Sequence, residues 1–155
     1  MLVTPTSRAA LAEEVVELVA ARPGRVRLIL DGPAPARPGE LAAEVATALR
    51  ALGRPTVVVD AADFLRPASV RLEQGRTDPD ALLERWLDDA ALRLGRGLPA
   101  ELAVHFRMSA AALTRTLGED LQWTVPAHVR HEQGAEADLL VLADHPDRPA
   151  VQRTP

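Results

Sequence analysis

Cysteine and tyrosine are both absent from the 155 residues, and aromatic side chains make up only 3% of them. Without thiols the chain can form neither a disulfide nor a thiolate metal site. So few rings leave little for single-stranded bases to stack on, and a net charge of -4 supplies no field that would draw a polyanion. Nucleic acid is therefore set aside as a partner. No stretch approaches the about 18 uninterrupted apolar residues that mark a membrane span, and "MLVTPTSRAALAEE" lacks the basic start and apolar core of a leader. No membrane contact is expected, and the cytoplasm is the expected compartment.

What is present reads as an ordinary globular chain, 47% hydrophobic and 26% charged, long enough to bury a core and organised as a single domain over 1–155. Ala, Arg, Leu and the 13 prolines are abundant in the manner of a GC-rich genome, which lowers the meaning of any one Ala or Arg. Periodicity carries more. In "TSRAALAEEVVELVAARPG" the apolar residues Leu11, Val15, Leu18 and Val19 share a helical face, with Thr6 or Ser7 as cap and Pro23-Gly24 as the stop. "RVRLILD" predicts a strand, and "GELAAEVATALRALG" predicts a helix with Leu41, Val45, Leu49 and Leu52 inward, Pro38 at its start and Gly53 at its end. "PTVVVDAADF" predicts a second buried strand, which makes a βαβ unit with a parallel pair.

Further along, "DPDALLERWLDDAALRL" predicts a helix capped by Asp78, "ELAVHF" a strand, and "SAAALTRTLG" a short helix capped by Ser109. "VPAHVRHEQ" predicts another helix and "ADLLVLAD" the last strand, with "HPDRPAVQRTP" as a tail. His128, His131 and Glu132 share a face of the third of these helices but match no standard ligand spacing, so no metal and no cofactor is expected. His105 is expected as a satisfied histidine of the core or sheet end.

The stretch "LILDGPAPARPGELA" has the placement of a phosphate-binding loop, between a buried strand and a helix. Such a loop needs a second glycine, a lysine for the outer phosphates and a hydroxyl for magnesium. Counted from Gly32, those positions hold Arg37, Pro38 and Gly39. Pro38 removes both the ammonium and a backbone donor, and Glu40 puts a negative charge in the first helical turn, where a phosphate would have been favoured. Only Arg37 still offers a cation.

These pieces together resemble the uridine kinase-like branch of the P-loop nucleoside kinases, in the form common in actinobacteria. Its loop pattern V-D-G-x-x-A-A-G-K-T-T-L-A aligns with "LDGPAPARPGELA" without a gap, and "ADFLRPASVRLEQGRTDP" keeps Phe64, Arg66, Pro67, Val70, Arg71, Gly75, Arg76 and Pro79 of a second family stretch. The segments "LGRGLPAELAVHFRMSAAALTR" and "ADLLVLADHPDRPAV" resemble the family's later strands, so the similarity spans nearly the whole chain. The resemblance implies a three-layer α/β fold with an open parallel sheet and helices on both faces. A stretch of roughly 40–50 residues present in the family, the size of a long loop plus a βα unit, is missing after "DDAALR", which leaves about four strands.

The resemblance also implies a nucleoside acceptor near the second strand. There Gly32, Arg37, Phe64, Arg66, Arg71 and Arg76 are the candidate ligand-binding residues. The position that the resemblance assigns to the general base falls on Ala62, so Asp63, one place later, is a candidate together with Asp31 and Asp60 at strand ends. Phosphoryl transfer depends on positioning and charge neutralisation, and a single such group is commonly worth ~10²–10³ in rate. With several gone, the expectation is a catalytically degenerate relative that binds a nucleoside-like or other small molecule. The first alternative is an enzyme that reuses the vacated cleft for acid/base chemistry through Asp31, Asp60, Asp63 or a histidine. A weak kinase using Arg37 ranks below it, and the intact periodicity speaks against a decaying gene copy. A homodimer is a further expectation, with the second copy covering the flank of the lost strand.

Overall fold

The protein is described by a computed structural model that covers residues 2–60, 63, 101–117 and 137–153. Its elements in chain order are β1 (Leu2–Pro5), α1 (Arg8–Ala20), β2 (Leu28–Asp31), a 3₁₀ turn (Ala34–Ala36), α2 (Pro38–Ala51), β3 (Leu102–Arg107), α3 (Ala110–Leu117), β4 (Leu139–Leu142) and β5 (Ala150–Arg153). They form an α/β fold around one mixed sheet of order β1-β5-β4-β3-β2. Strands β2, β3 and β4 run parallel, whereas β5 is antiparallel to both of its neighbours, β4 and β1. Among the described residues no helix is long and apolar enough to cross a membrane.

The two long helices form for the reasons the sequence offers. Ser7 accepts a hydrogen bond from the Ala10 amide at 3.1 Å, which satisfies one of the orphan donors at the start of α1. Leu11, Val15 and Val19 are buried on its inner face, with Leu18 packed at the margin. In α2 the buried residues are Leu41, Val45, Ala46 and Leu49. Each buried Leu or Val side chain among these contributes about 1.5–3 kcal/mol. Leu52, expected inward, is 67% exposed because the helix ends there. Gly53 takes a positive φ of 76°, its amide bonds to Arg50 O, and the next amide, of Arg54, returns to Leu49 O. This paired closure needs the left-handed residue that glycine supplies.

Arg54 then ties the two helix ends together. Its guanidinium donates to the carbonyls of Val19 (2.6 Å), Arg22 (3.0 Å) and Gly24 (2.7 Å), at the C-terminal end of α1. Val19 lies in the last turn of α1, where its carbonyl also accepts from the Arg22 amide at 3.2 Å, and Arg22 and Gly24 belong to the turn that follows the helix.

Strand register separates the sheet into two faces, because successive side chains alternate. Leu30, Val104 and Leu139 form one row of the first face, and Phe106, Val141 and Val151 form another. All six belong to or pack against the same cluster as Leu11, Val15, Leu41, Val45 and, from α3, Ala112 and Leu113. The opposite face carries the row Asp31, His105, Leu140 and Gln152.

Several expectations are corrected here. The sheet has five strands and is mixed, not about four in parallel, because Leu2–Pro5 and Ala150–Arg153, the latter within the expected tail, pair with each other. The expected strand at "PTVVVD" is not formed: residues 54–60 have no regular structure, and Val57, Val58 and Val59 are 86%, 45% and 47% exposed. A run of valines signals an affinity for burial, but a strand also needs a neighbour to hydrogen-bond. Here β2 takes β3 as its parallel partner. The expected helices within 78–92 and 125–133 lie outside the described residues.

Candidate functional site

The C-terminal ends of β2, β3 and β4 gather the polar groups, at the edge where open α/β sheets hold their ligands. Asp31 closes β2, and its register partner across the strand pair is His105. The two side chains meet, with His105 Nδ1 2.8 Å from Asp31 Oδ1. They differ sharply in setting: the imidazole is 9% exposed and the carboxylate 47%.

Directly after Asp31 the backbone is pressed against β3. Gly32 has a φ of 143°, and a Cβ built on it would lie 2.6 Å from both Phe106 Cβ and Phe106 O. No larger residue fits without displacing the strand, so the glycine fixes where the loop leaves the sheet.

From there the loop departs from a phosphate cradle. Pro33 leads into the 3₁₀ turn, Arg37 adopts the left-handed conformation (φ 57°, ψ 48°), and Pro38 opens α2. The Arg37 guanidinium is hydrogen-bonded to Asp147 from the loop after β4 and lies 3.6 Å from Glu40. The Asp147 hydrogen bond, backed by Coulombic attraction from Asp147, Glu40 and Glu44 and only partly offset by desolvation, raises the Arg37 pKa above its already high ordinary value. Arg8 completes the knot. It donates to Arg37 O and to Glu44 Oε1, each at 3.0 Å, and lies 3.5 Å from Glu40. The protein's own carboxylates thus surround the cation that a phosphate would have needed.

The loop between β4 and β5 has an anchor of its own. Asp144 accepts from Ser109 N at 2.6 Å and from Ser109 Oγ at 2.7 Å, while Ser109 Oγ accepts from Ala112 N and caps α3 as expected. Burial alone would raise the Asp144 pKa, but the two Ser109 hydrogen bonds and the positive charges of Arg115 and His145 outweigh it and lower the value. Beyond this anchor a hollow of about 290 Å³ is lined by His145, Pro146, Asp147 and Arg148.

Of the remaining candidates, Asp60 and Asp63 share a turn of their own, with Asp63 N donating to Asp60 O at 3.1 Å. Phe64, Arg66, Arg71 and Arg76 lie outside the described residues, as do His128, His131 and Glu132. Among the described residues no cluster of His, Asp or Glu could hold a metal ion. Sequence reading missed Asp147 and Arg8, since nothing in the local pattern links them to Arg37. The role of His105 beside Asp31 had a legible signal: a lone imidazole in an otherwise apolar strand asks for a partner.

No family model matches the chain, and no solved structure matches it. One curated protein does: an isoleucine–tRNA ligase of Thiobacillus denitrificans, 34% identical over 105 residues that take in 57% of this chain. The chain spans 11% of the length of that ligase.

Proposed function

We propose that this protein is a non-phosphorylating relative of the uridine kinase-like P-loop proteins that binds a nucleoside-like or other small molecule at the C-terminal edge of its sheet. The observation that carries this reading is the state of the loop from Gly32 to Pro38. Its remaining cation, Arg37, is engaged by Asp147 and Glu40, and Pro38 offers no amide at the start of α2. A nucleotide phosphate would have to displace two carboxylates and would meet no lysine and no magnesium-binding hydroxyl. The parallel run β2, β3 and β4, with a loop leaving β2 to open a helix, supports descent from such a kinase.

Titration calorimetry with Mg-ATP, and separately with uridine, tests the reading. No heat is expected from Mg-ATP at millimolar concentration. Saturable Mg-ATP binding together with transfer of phosphate to uridine would sink it.

A further inference from the structure

On the sheet face opposite the main apolar cluster, His105 is the buried polar side chain among the described residues, with 7% of the residue exposed. It stands between Val104 and Phe106, exposed by 1% and 2%. An imidazole placed there is unfavourable unless its polar atoms are met, and Asp31 meets Nδ1 at 2.8 Å. An ionised carboxylate can only accept, so Nδ1 carries the proton and donates it. The arrangement is asymmetric from the side of Asp31. Oδ1 is held by a buried donor, whereas Oδ2 takes no hydrogen bond among the described residues and the side chain is 47% exposed.

Rigidity adds to this asymmetry. The register of β2 on β3 sets Asp31 beside His105, and Gly32 pins the following backbone against Phe106. A carboxylate with one oxygen hydrogen-bonded and the other without a hydrogen bond among the described residues, held in place by the β2–β3 register, is preorganised to receive a proton.

We propose that Asp31 is the general base of a small-molecule site at the C-terminal edge of β2 and β3, with His105 as its positioning residue. The substrate is a small molecule with a hydroxyl or an activated C–H. Asp31 Oδ2 takes the proton, and the freed electron pair stays on the substrate oxygen or passes into a bond whose leaving group departs. His105 keeps its Nδ1–H throughout and prevents the carboxylate from rotating away. The site is independent of the phosphate loop's fate, because neither nucleotide nor phosphate enters the step.

A generic carbon acid, 5-nitrobenzisoxazole, tests it without knowledge of the natural substrate. In that elimination the base takes the C3 proton, the C–H pair becomes the third bond of a nitrile, the N–O bond breaks, and a coloured cyanonitrophenolate forms. The full-length protein is expected to exceed an equal concentration of acetate by about tenfold or more. Asp31→Asn is expected to fall to the acetate rate. His105→Asn, which keeps an N–H near the Nδ1 position, is expected to retain most of the rate, and His105→Leu to lose it, with circular dichroism confirming the fold of each. A wild-type rate no greater than that of acetate overturns the proposal, as does an Asp31→Asn variant as fast as wild type. A fast His105→Leu variant overturns the positioning role. Nucleotide calorimetry is blind to all of these outcomes, so this site and the kinase ancestry fail separately.

Discussion

Arg37 and Asp147 join the two loops at the sheet edge, although 110 residues of chain separate them. Both side chains reach solvent, and an ion pair in that setting adds little to global stability. Asp147→Ala is therefore expected to leave the unfolding midpoint unchanged within error while loosening the turn locally. Hydrogen exchange should quicken at the Arg37 amide, which bonds to Ala34 O in the native turn. A large loss of midpoint stability would contradict this account.

Gly32 permits no side chain. Gly32→Ala would set a methyl 2.6 Å from Phe106 Cβ and O at a φ of 143°, which combines overpacking with backbone strain. A loss of at least about 2 kcal/mol is expected in chemical denaturation. Gly24, also at positive φ but with nothing within 4 Å of a built Cβ, should tolerate the same change at about 1 kcal/mol.

Arg54 holds three carbonyls at the end of α1. Arg54→Ala should cost about 1–3 kcal/mol, since charge-assisted bonds are the stronger kind and three carbonyls lose a donor, although Val19 O keeps the Arg22 amide. Arg54→Lys is expected to recover only part, because one ammonium cannot span the fork that reaches Val19, Arg22 and Gly24 together. Equal stability of the Lys variant and the wild type would show that the charge alone matters.

Asp144 ties stability to acid. Its folded pKa lies below the ordinary carboxylate value of 3.8, so its contribution is fully present above that value. The contribution is lost as pH falls through the lower folded pKa. Ser109→Ala removes the hydroxyl bond and the cap of α3, and should cost about 1 kcal/mol near neutrality. It should also flatten the acid limb of a stability-against-pH profile. An unchanged limb would mean that the Ser109 amide and the neighbouring charges hold Asp144 by themselves.

How much of this was legible in the sequence depends on the range of the interaction. The helices α1 and α2 were legible because their apolar period and their caps are local, and β3 and β4 because apolar runs bounded by breakers are local too. The strands β1 and β5 were not: each has only four residues, β1 depends on a partner at the far end of the sequence, and β5 follows a Pro- and Asp-rich loop that reads as a tail. The valines of 57–59 were misread because hydrophobicity reports a preference for burial without naming the surface that would provide it. At the site, the loss of the phosphate loop could be read residue by residue, whereas the group that took its place, Asp147, required three dimensions.

The order of strands has a consequence for synthesis. Strand β5 sits between β1 and β4 and registers Arg153 against Leu2, so among the described strands β1 has no partner until β5 has been made. Such long-range closure is slow compared with local helix formation. During that interval Leu2 and Val3, exposed even in the finished fold, belong to a nascent segment with an unsatisfied edge. Among the described strands, β1 can therefore join the sheet only after β5, whereas β2, β3 and β4 pair without either of them.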